Sequence, residues 1–288
     1  MKLAGLNAII TGASQGLGLE IARHFVNEGA SVALCARDKD RLAEAAAALR
    51  SLAGPGQQVF ARPCDVSSAS EVASFCAEAV ASLGRVRVLV NNAGVYGPKG
   101  PIESVDWDDW KRALEINLYG IVLPCRALIP HFKAHGGGKI INLSGGGATS
   151  PLPFISAYAA SKTAVVRLTE TFAEELRAHH IDVNAVGPGP LNTRMLDEVL
   201  QAGPGLVGES FHKKALKQKE AGGSSLDLGA GLCVFLASAE SDGITGKLIS
   251  AVWDPWKSDL SAHLEALNNS DIYTLRRIVP QDRGQNWP

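Results

Sequence analysis

Short apolar runs, several closed by a Gly- or Asn-containing turn and most followed by a helical pattern, recur along this chain. They restrict its fold more than any other feature. The runs cover residues 6–10, 31–35, 58–61, 86–90, 139–143, 180–186 and 247–252. Runs this short and continuous suit strands buried on both faces. Between them lie helical periodicities such as Ile21, Ala22, Phe25 and Val26, or Val72, Phe75, Ala79 and Val80. Strands alternating with helices at this spacing imply right-handed crossovers and a parallel sheet, hence an α/β fold. Ligands then sit outside the carboxyl ends of the strands.

With 288 residues and 46% hydrophobic residues the chain can bury a large core, and the length accommodates one α/β domain. A net charge of −1 without a basic run argues against nucleic acid as the main partner. The five scattered cysteines show no Cys-x-x-Cys and read as buried thiols of a reduced compartment. The seven histidines show no metal-ligand spacing, so no metal is expected. The N-terminus reaches its first glycine turn too early for a secretory segment, and no run approaches membrane-spanning length. The expected location is cytoplasmic, without a membrane partner.

The first run opens into Thr11-Gly12-Ala13-Ser14-Gln15-Gly16-Leu17-Gly18 and then a helix. Glycines at a strand-to-helix turn let the backbone approach a pyrophosphate, which then meets the helix N-terminus. The second run ends in Ala36-Arg37-Asp38, where an NAD site would carry an acidic ribose clamp. Arg37 suits a 2′-phosphate, and Asp38 is either the clamp or the N-cap of the next helix. The balance favours NADP(H), with NAD(H) as the alternative. Asp65, after Cys64, either accepts from an adenine amino group or caps its own turn.

Tyr158 and Lys162 lie four apart on a helical pattern and therefore on one face. A phenol of pKa about 10 is a poor acid or base near neutrality, and a neighbouring ammonium should lower that value. A tyrosine tuned this way can protonate a carbonyl or deprotonate an alcohol.

Taken together, residues 6–250 resemble the short-chain dehydrogenase/reductase family. The resemblance rests on the Thr11–Gly18 loop, Cys64-Asp65-Val66, Asn91-Asn92-Ala93-Gly94, Asn117, Tyr158-x-x-x-Lys162, Pro188-Gly189 and Thr193, in order. It implies one doubly wound, Rossmann-like domain over residues 1–256, with a seven-stranded parallel sheet and helices on both faces. It also implies assembly as a homodimer or homotetramer, and hydride transfer between a nicotinamide and a small-molecule carbonyl or secondary alcohol. By this likeness Tyr158 is the acid/base, and Lys162 lowers its pKa and holds the nicotinamide ribose. Asn117 holds a proton-passing water, and the backbone from Pro188 through Gly189 to Thr193 seats the carboxamide.

Two features depart from the family pattern. The serine expected 13 residues before the tyrosine is Gly145, with Ser144 one residue early. Either Ser144 serves as the donor to the substrate oxygen, or the donor is absent or comes from Thr149, Ser156 or the substrate. The usual ending is replaced by Ala251-Val-Trp-Asp-Pro-Trp256 and an extension, 257–288, that is no separate domain. Trp253 and Trp256 either pack a subunit interface, the favoured reading, or wall the substrate pocket together with Tyr273. Residues 191–224, polar and lysine-rich, read as a mobile lid. The expected substrate is sugar- or polyol-like, with a 3-oxoacyl compound as the generic runner-up. The alternative function is a non-catalytic nucleotide sensor or scaffold.

Overall fold

A computed structural model of the chain describes residues 1–258 and 260–287. The apolar runs fold as β1 (Asn7–Thr11), β2 (Ser31–Ala36), β3 (Val59–Pro63), β4 (Val86–Asn91), β5 (Gly138–Leu143), β6 (Ile181–Gly187) and β7 (Leu248–Ser250). They form one sheet in the order β3-β2-β1-β4-β5-β6-β7, parallel throughout. The helices are α1 (Gly16–Asn27), α2 (Lys39–Leu52), α3 (Ala69–Leu83), α4 (Trp107–Leu114), α5 (Gly120–Ala134), α6 (Ser156–Leu176), α7 (Arg194–Val207), α8 (Glu209–Glu220) and α9 (Leu226–Ala237). Short helical turns follow in the extension, among them α10 (Leu264–Asn268).

Strand residues alternate between two core layers. Ala8, Ile10, Leu34 and Val90 enter the layer shared with Ile21 and Phe25 of α1 and Leu232 of α9. Ile9, Ala33, Leu89 and Ile140 enter the layer shared with Phe75 of α3 and Phe132 of α5. Burial on both faces explains why the strands read as continuous apolar runs instead of alternating ones. The chain builds outward from β1 to β3, then restarts with β4 on the other side of β1. That reversal opens a crevice at the carboxyl ends of the strands.

Local signals set the helix starts. Asp38 accepts from the Arg41 backbone N–H at 3.1 Å and so caps α2, and Asp106 accepts from Asp109 N–H at 2.9 Å and caps α4. Pro124 and Pro130 lie inside α5 instead of ending it. The distortion falls upstream, where residues 115–119 form a π turn and the Gly120 N–H donates to the Glu115 carbonyl. Helical structure therefore continues from Trp107 to Ala134, 28 residues long and apolar enough to cross a membrane by length and composition. This corrects the expectation that no stretch reaches such a length. Ile121, Cys125, Leu128 and Phe132 of this stretch belong to the core.

One further boundary is revised, and two segments take definite structure. Strand β7 ends at Ser250 because polar groups turn the chain there: Asp254 accepts from the Ser250 N–H, and Ser250 Oγ accepts from the N–H groups of Val252 and Trp253. The 191–224 segment is ordered into α7 and α8, which bury Leu196, Val199, Val207 and Ala215. Gly203, at φ 73°, breaks α7 before Pro204. The C-terminal extension runs along the free edge of β7, where Leu248 N–H donates to the Tyr273 carbonyl at 2.8 Å. Lys247 Nζ binds the Ser270 and Ile272 carbonyls at 3.1 and 3.0 Å, so this edge is covered by the chain itself.

Candidate active site

The strand ends converge on one cavity of about 920 Å³. Its floor at β1 is the Thr11–Gly18 turn. A Cβ on Gly12, whose φ is 66°, would lie 2.8 Å from Ala93 Cα, and one on Gly18 would collide with Asn92 Nδ2 and the Gly12 carbonyl. The turn is clasped from β4. Thr11 Oγ1 accepts from the Asn92 and Ala93 N–H groups at 3.0 and 3.2 Å, and Asn92 Nδ2 donates to the Thr11 and Gly12 carbonyls at 3.0 and 3.1 Å. Asn92 thus spends its side chain on shaping the loop. Ser14, Gln15, Gly16 and Leu17 line the cavity, with Gly94 opposite.

At one end of the cavity stands Arg37, exposed and without an ion-pair partner among the described residues. Asp38 is committed elsewhere: besides capping α2 it pairs with Arg41 Nε at 3.3 Å. Arg41, which the sequence reading missed, donates to Gln15 Oε1 at 2.9 Å and brings a second guanidinium to this end. Asp65 bonds the Ser67 N–H and hydroxyl at 3.0 and 2.6 Å and pairs with Arg112. Burial pushes the Asp65 carboxyl up, but the bonds from Ser67 and Arg112 outweigh it and hold it below its ordinary value. Of the two readings of Asp65, turn capping is the one this geometry displays. Val66 lines the wall beside it.

Deeper in the cavity, α6 turns Tyr158 and Lys162 inward, 8% and 4% exposed. Lys162 Nζ donates to the Leu143 carbonyl at 2.7 Å and lies 5.6 Å from the centre of the Tyr158 ring. The expected lowering of the phenol is not seen. Burial drives Tyr158 well above its ordinary value, with Tyr96 adding to the rise, and burial brings Lys162 down to about 8. Desolvation outweighs an ammonium that sits over the ring and is held on a carbonyl.

Asn117, fully buried in the π turn, accepts from Val95 N–H at 2.8 Å. Its Nδ2 donates to the Val95 carbonyl and Ser161 Oγ, both at 2.9 Å, and Ser161 Oγ donates to the Tyr158 carbonyl at 2.7 Å. It ties the exit of β4 to the helix of Tyr158. A Cβ on Gly94 would lie a tight 3.3 Å from Asn117 Oδ1 and in ordinary contact, 3.6 Å, with Lys162 Nζ.

The glycine loop after β5 explains the missing serine. A Cβ at Gly145 would collide with the Tyr158 hydroxyl and lie 3.2 Å from Cζ, so the phenol occupies the place of that side chain. Ser144 is buried with its hydroxyl unbonded and makes no bond to Tyr158. Ser156 Oγ accepts from Trp110 Nε1 at 3.0 Å, and Thr149 is exposed at the cavity wall. At β6, Gly189 has φ 85° and a Cβ there would strike Val252 Cγ2. Pro188, Gly189 and Thr193 line the cavity, and Thr193 stands at the start of α7.

The two tryptophans separate. Trp253 is 74% exposed at the cavity rim. Trp256 packs within its own chain, 6.2 Å from the Phe235 ring, and donates to the Ala251 carbonyl at 3.0 Å. Tyr273 packs on the core and does not line the cavity, so the alternative of a pocket wall shared by the three does not hold. Sequence reading also missed Tyr96, whose ring meets Tyr158 edge-on at 4.7 Å, together with Leu152, Met195 and Phe211. An aromatic two residues beyond the Gly94 turn was the one available signal. The fold also gathers Glu20, His24 and Asp227 with ligand atoms within 4.8 Å at the surface, where His24 pairs with both acids.

A crevice at the sheet's switch point, floored by a glycine turn and holding a buried tyrosine–lysine pair, is the candidate active site of this doubly wound α/β fold. The sequence profile of the short chain dehydrogenases matches residues 6–203. The 7alpha-hydroxysteroid dehydrogenase of Escherichia coli K12 is 31% identical over 250 residues, covering 87% of this chain and 94% of the relative. An NAD+-bound xylitol dehydrogenase superposes with a TM-score of 0.79 at 28% identity, over 87% of this chain and 98% of the other. A gluconate 5-dehydrogenase from Burkholderia cenocepacia J2315, in complex with NADP and tartrate, gives 0.76 at 28% identity, over 92% and 97%. The chain belongs to the short-chain dehydrogenase/reductase family and is an oxidoreductase of that family, which acts on CH–OH groups.

Proposed function

We propose that the chain interconverts a secondary alcohol and its carbonyl with NADP(H) as the preferred cofactor and Tyr158 as the acid/base. The observation that carries this reading is a single cavity running from the unpaired Arg37 to the buried Tyr158 and Lys162. The cradle fits a dinucleotide, since side chains at Gly12 or Gly18 would close it against the β4 exit. A bound nicotinamide accepts or supplies the hydride. Tyr158 takes the hydroxyl proton in oxidation and returns it to the carbonyl oxygen in reduction. With its phenol held above the ordinary value by burial, Tyr158 carries its proton at neutral pH, the form that reduction requires. Lys162, anchored on Leu143, faces Gly94 and orients whatever ribose lies there.

Arg37 supplies the discrimination. A guanidinium forms paired charge-assisted bonds to a phosphate, whereas a ribose hydroxyl there would want a free carboxylate, and Asp38 is engaged. Calorimetric titration with NADPH and NADH tests this. The wild type should prefer NADPH, and Arg37→Ala should weaken NADPH binding about 10–100-fold with NADH nearly unchanged. Equal affinities in the wild type would contradict the assignment. A purely nucleotide-sensing role has less support, because Tyr158 and Lys162 line the same cavity and Asn117 braces its wall at Val95.

A further inference from the structure

We propose that the substrate is an apolar, ring-bearing secondary alcohol, or the matching ketone, whose reacting oxygen is its main polar group. The inference rests on Tyr158 as the group that meets that oxygen. Tyr158 belongs to a hydrophobic cluster with Ile155, Leu196, Val199, Val207 and Ala215. Four partly buried members of the same cluster face the cavity around it: Tyr96 beyond β4, Leu152 beyond β5, Met195 on α7 and Phe211 on α8. Gly146 leaves the adjoining wall bare, since a Cβ there would touch nothing.

Several polar groups near this end are already engaged. Gln218 Nε2 donates to the Leu191 carbonyl at 3.1 Å and to Asn192 Oδ1 at 3.4 Å, and Asn192 Nδ2 donates to the Lys219 carbonyl at 3.3 Å. Arg194 pairs with Glu198 at 3.3 Å, and Asp254 accepts from Ser250 N–H at 2.6 Å. Among the described residues here, Thr149, Ser144, Tyr96 and Tyr158 keep hydroxyls without a protein partner, and Ser144 is buried.

A polyol entering this wall would leave water with a hydroxyl on each carbon and find few partners, which costs affinity at every unpaired group. A single-oxygen ring system instead removes apolar surface from water against Leu152 and Met195. It also meets the faces or edges of Tyr96, Tyr158 and Phe211, geometries that aromatic side chains favour. The polyol expected from the Trp-rich ending is thus the less suited substrate, since Trp256 faces the core and Trp253 stands at the rim.

The test is steady-state kinetics on 4-tert-butylcyclohexanol, sorbitol and myo-inositol, each with NADP+ and with NAD+. The ring alcohol should show kcat/KM at least ~100-fold above either polyol. Equal or better use of a polyol overturns the proposal. Phe211→Asn and Leu152→Asn should each raise KM for the ring alcohol ~10-fold with little change in kcat, and an unchanged KM in both contradicts the wall assignment. If no alcohol is turned over, the reaction reading falls, and binding decides the substrate class separately. Calorimetry on protein saturated with NADPH should then show uptake of 4-tert-butylcyclohexanone and none of myo-inositol. Tighter binding of the polyol, or binding of neither, overturns the proposal.

Discussion

The cofactor half of the cavity and the substrate half are built from different materials. The first is backbone: a glycine turn clasped by Thr11 and Asn92, with the Arg37 and Arg41 guanidinium groups at its end. The second is side chain: Tyr96, Leu152, Met195 and Phe211, from four separate segments, converge on Tyr158. A backbone cradle tolerates almost no variation at its glycines, because a Cβ fills the space it exists to leave. An apolar wall exchanges residues of similar volume with modest loss. The cradle therefore states which class of cofactor is bound, and the wall states which substrate this particular chain accepts.

The sharpest break of that contrast is at Gly18. Gly18→Val would drive a branched side chain into Asn92 and the Gly12 carbonyl, so cofactor affinity should fall by more than ~100-fold or the turn should unfold. Calorimetric titration and circular dichroism distinguish the two. Met195→Leu, on the wall, should stay within about 1.5 kcal/mol of wild-type stability. Gly145→Ser is next. It restores the residue that the family pattern calls for, yet its Cβ would displace the phenol, and a shift of about 1 Å can cost ~100-fold in kcat. A gain in kcat would show that the phenol moves aside freely.

Asn117→Ala should destabilise the fold by about 2–4 kcal/mol, since it strips Val95 N–H and C=O of their buried partners. Denaturant unfolding reads this directly. A further effect is electrostatic. Lys162 ionises at about 8 in the fold against 10.5 ordinarily, so between those values the unfolded chain holds a proton that the native chain has lost. Stability should then rise with pH relative to Lys162→Met, by about 2–3 kcal/mol from pH 7 to pH 10. A flat difference between the two proteins would mean that Lys162 keeps its ordinary affinity for the proton.

Much of the fold was legible because strands buried on both faces read as unbroken apolar runs, and their order follows from right-handed crossovers. The cradle was legible for a related reason: its residues are neighbours in sequence. What stayed hidden depends on tertiary placement. Arg41 reaches Gln15 from the first turn of α2, a contact that no local pattern announces. The amphipathic faces of α7 and α8 were masked by lysines and glycines on their outer sides, so the segment read as a loose lid. The phenol's rise was unpredictable from Tyr158 and Lys162 alone, because burial, not their spacing, dominates it. Gly145 looked like a loss until the structure placed the Tyr158 hydroxyl in its space.

The central claim is that Tyr158 performs proton transfer in a cavity that the cofactor already shares. It is tested by measuring kcat and NADPH affinity side by side in wild type and Tyr158→Phe. The account predicts a loss of about 10²–10⁴-fold in kcat, with the dissociation constant changed less than about twofold. A phenylalanine variant that turns over at the wild-type rate would contradict it.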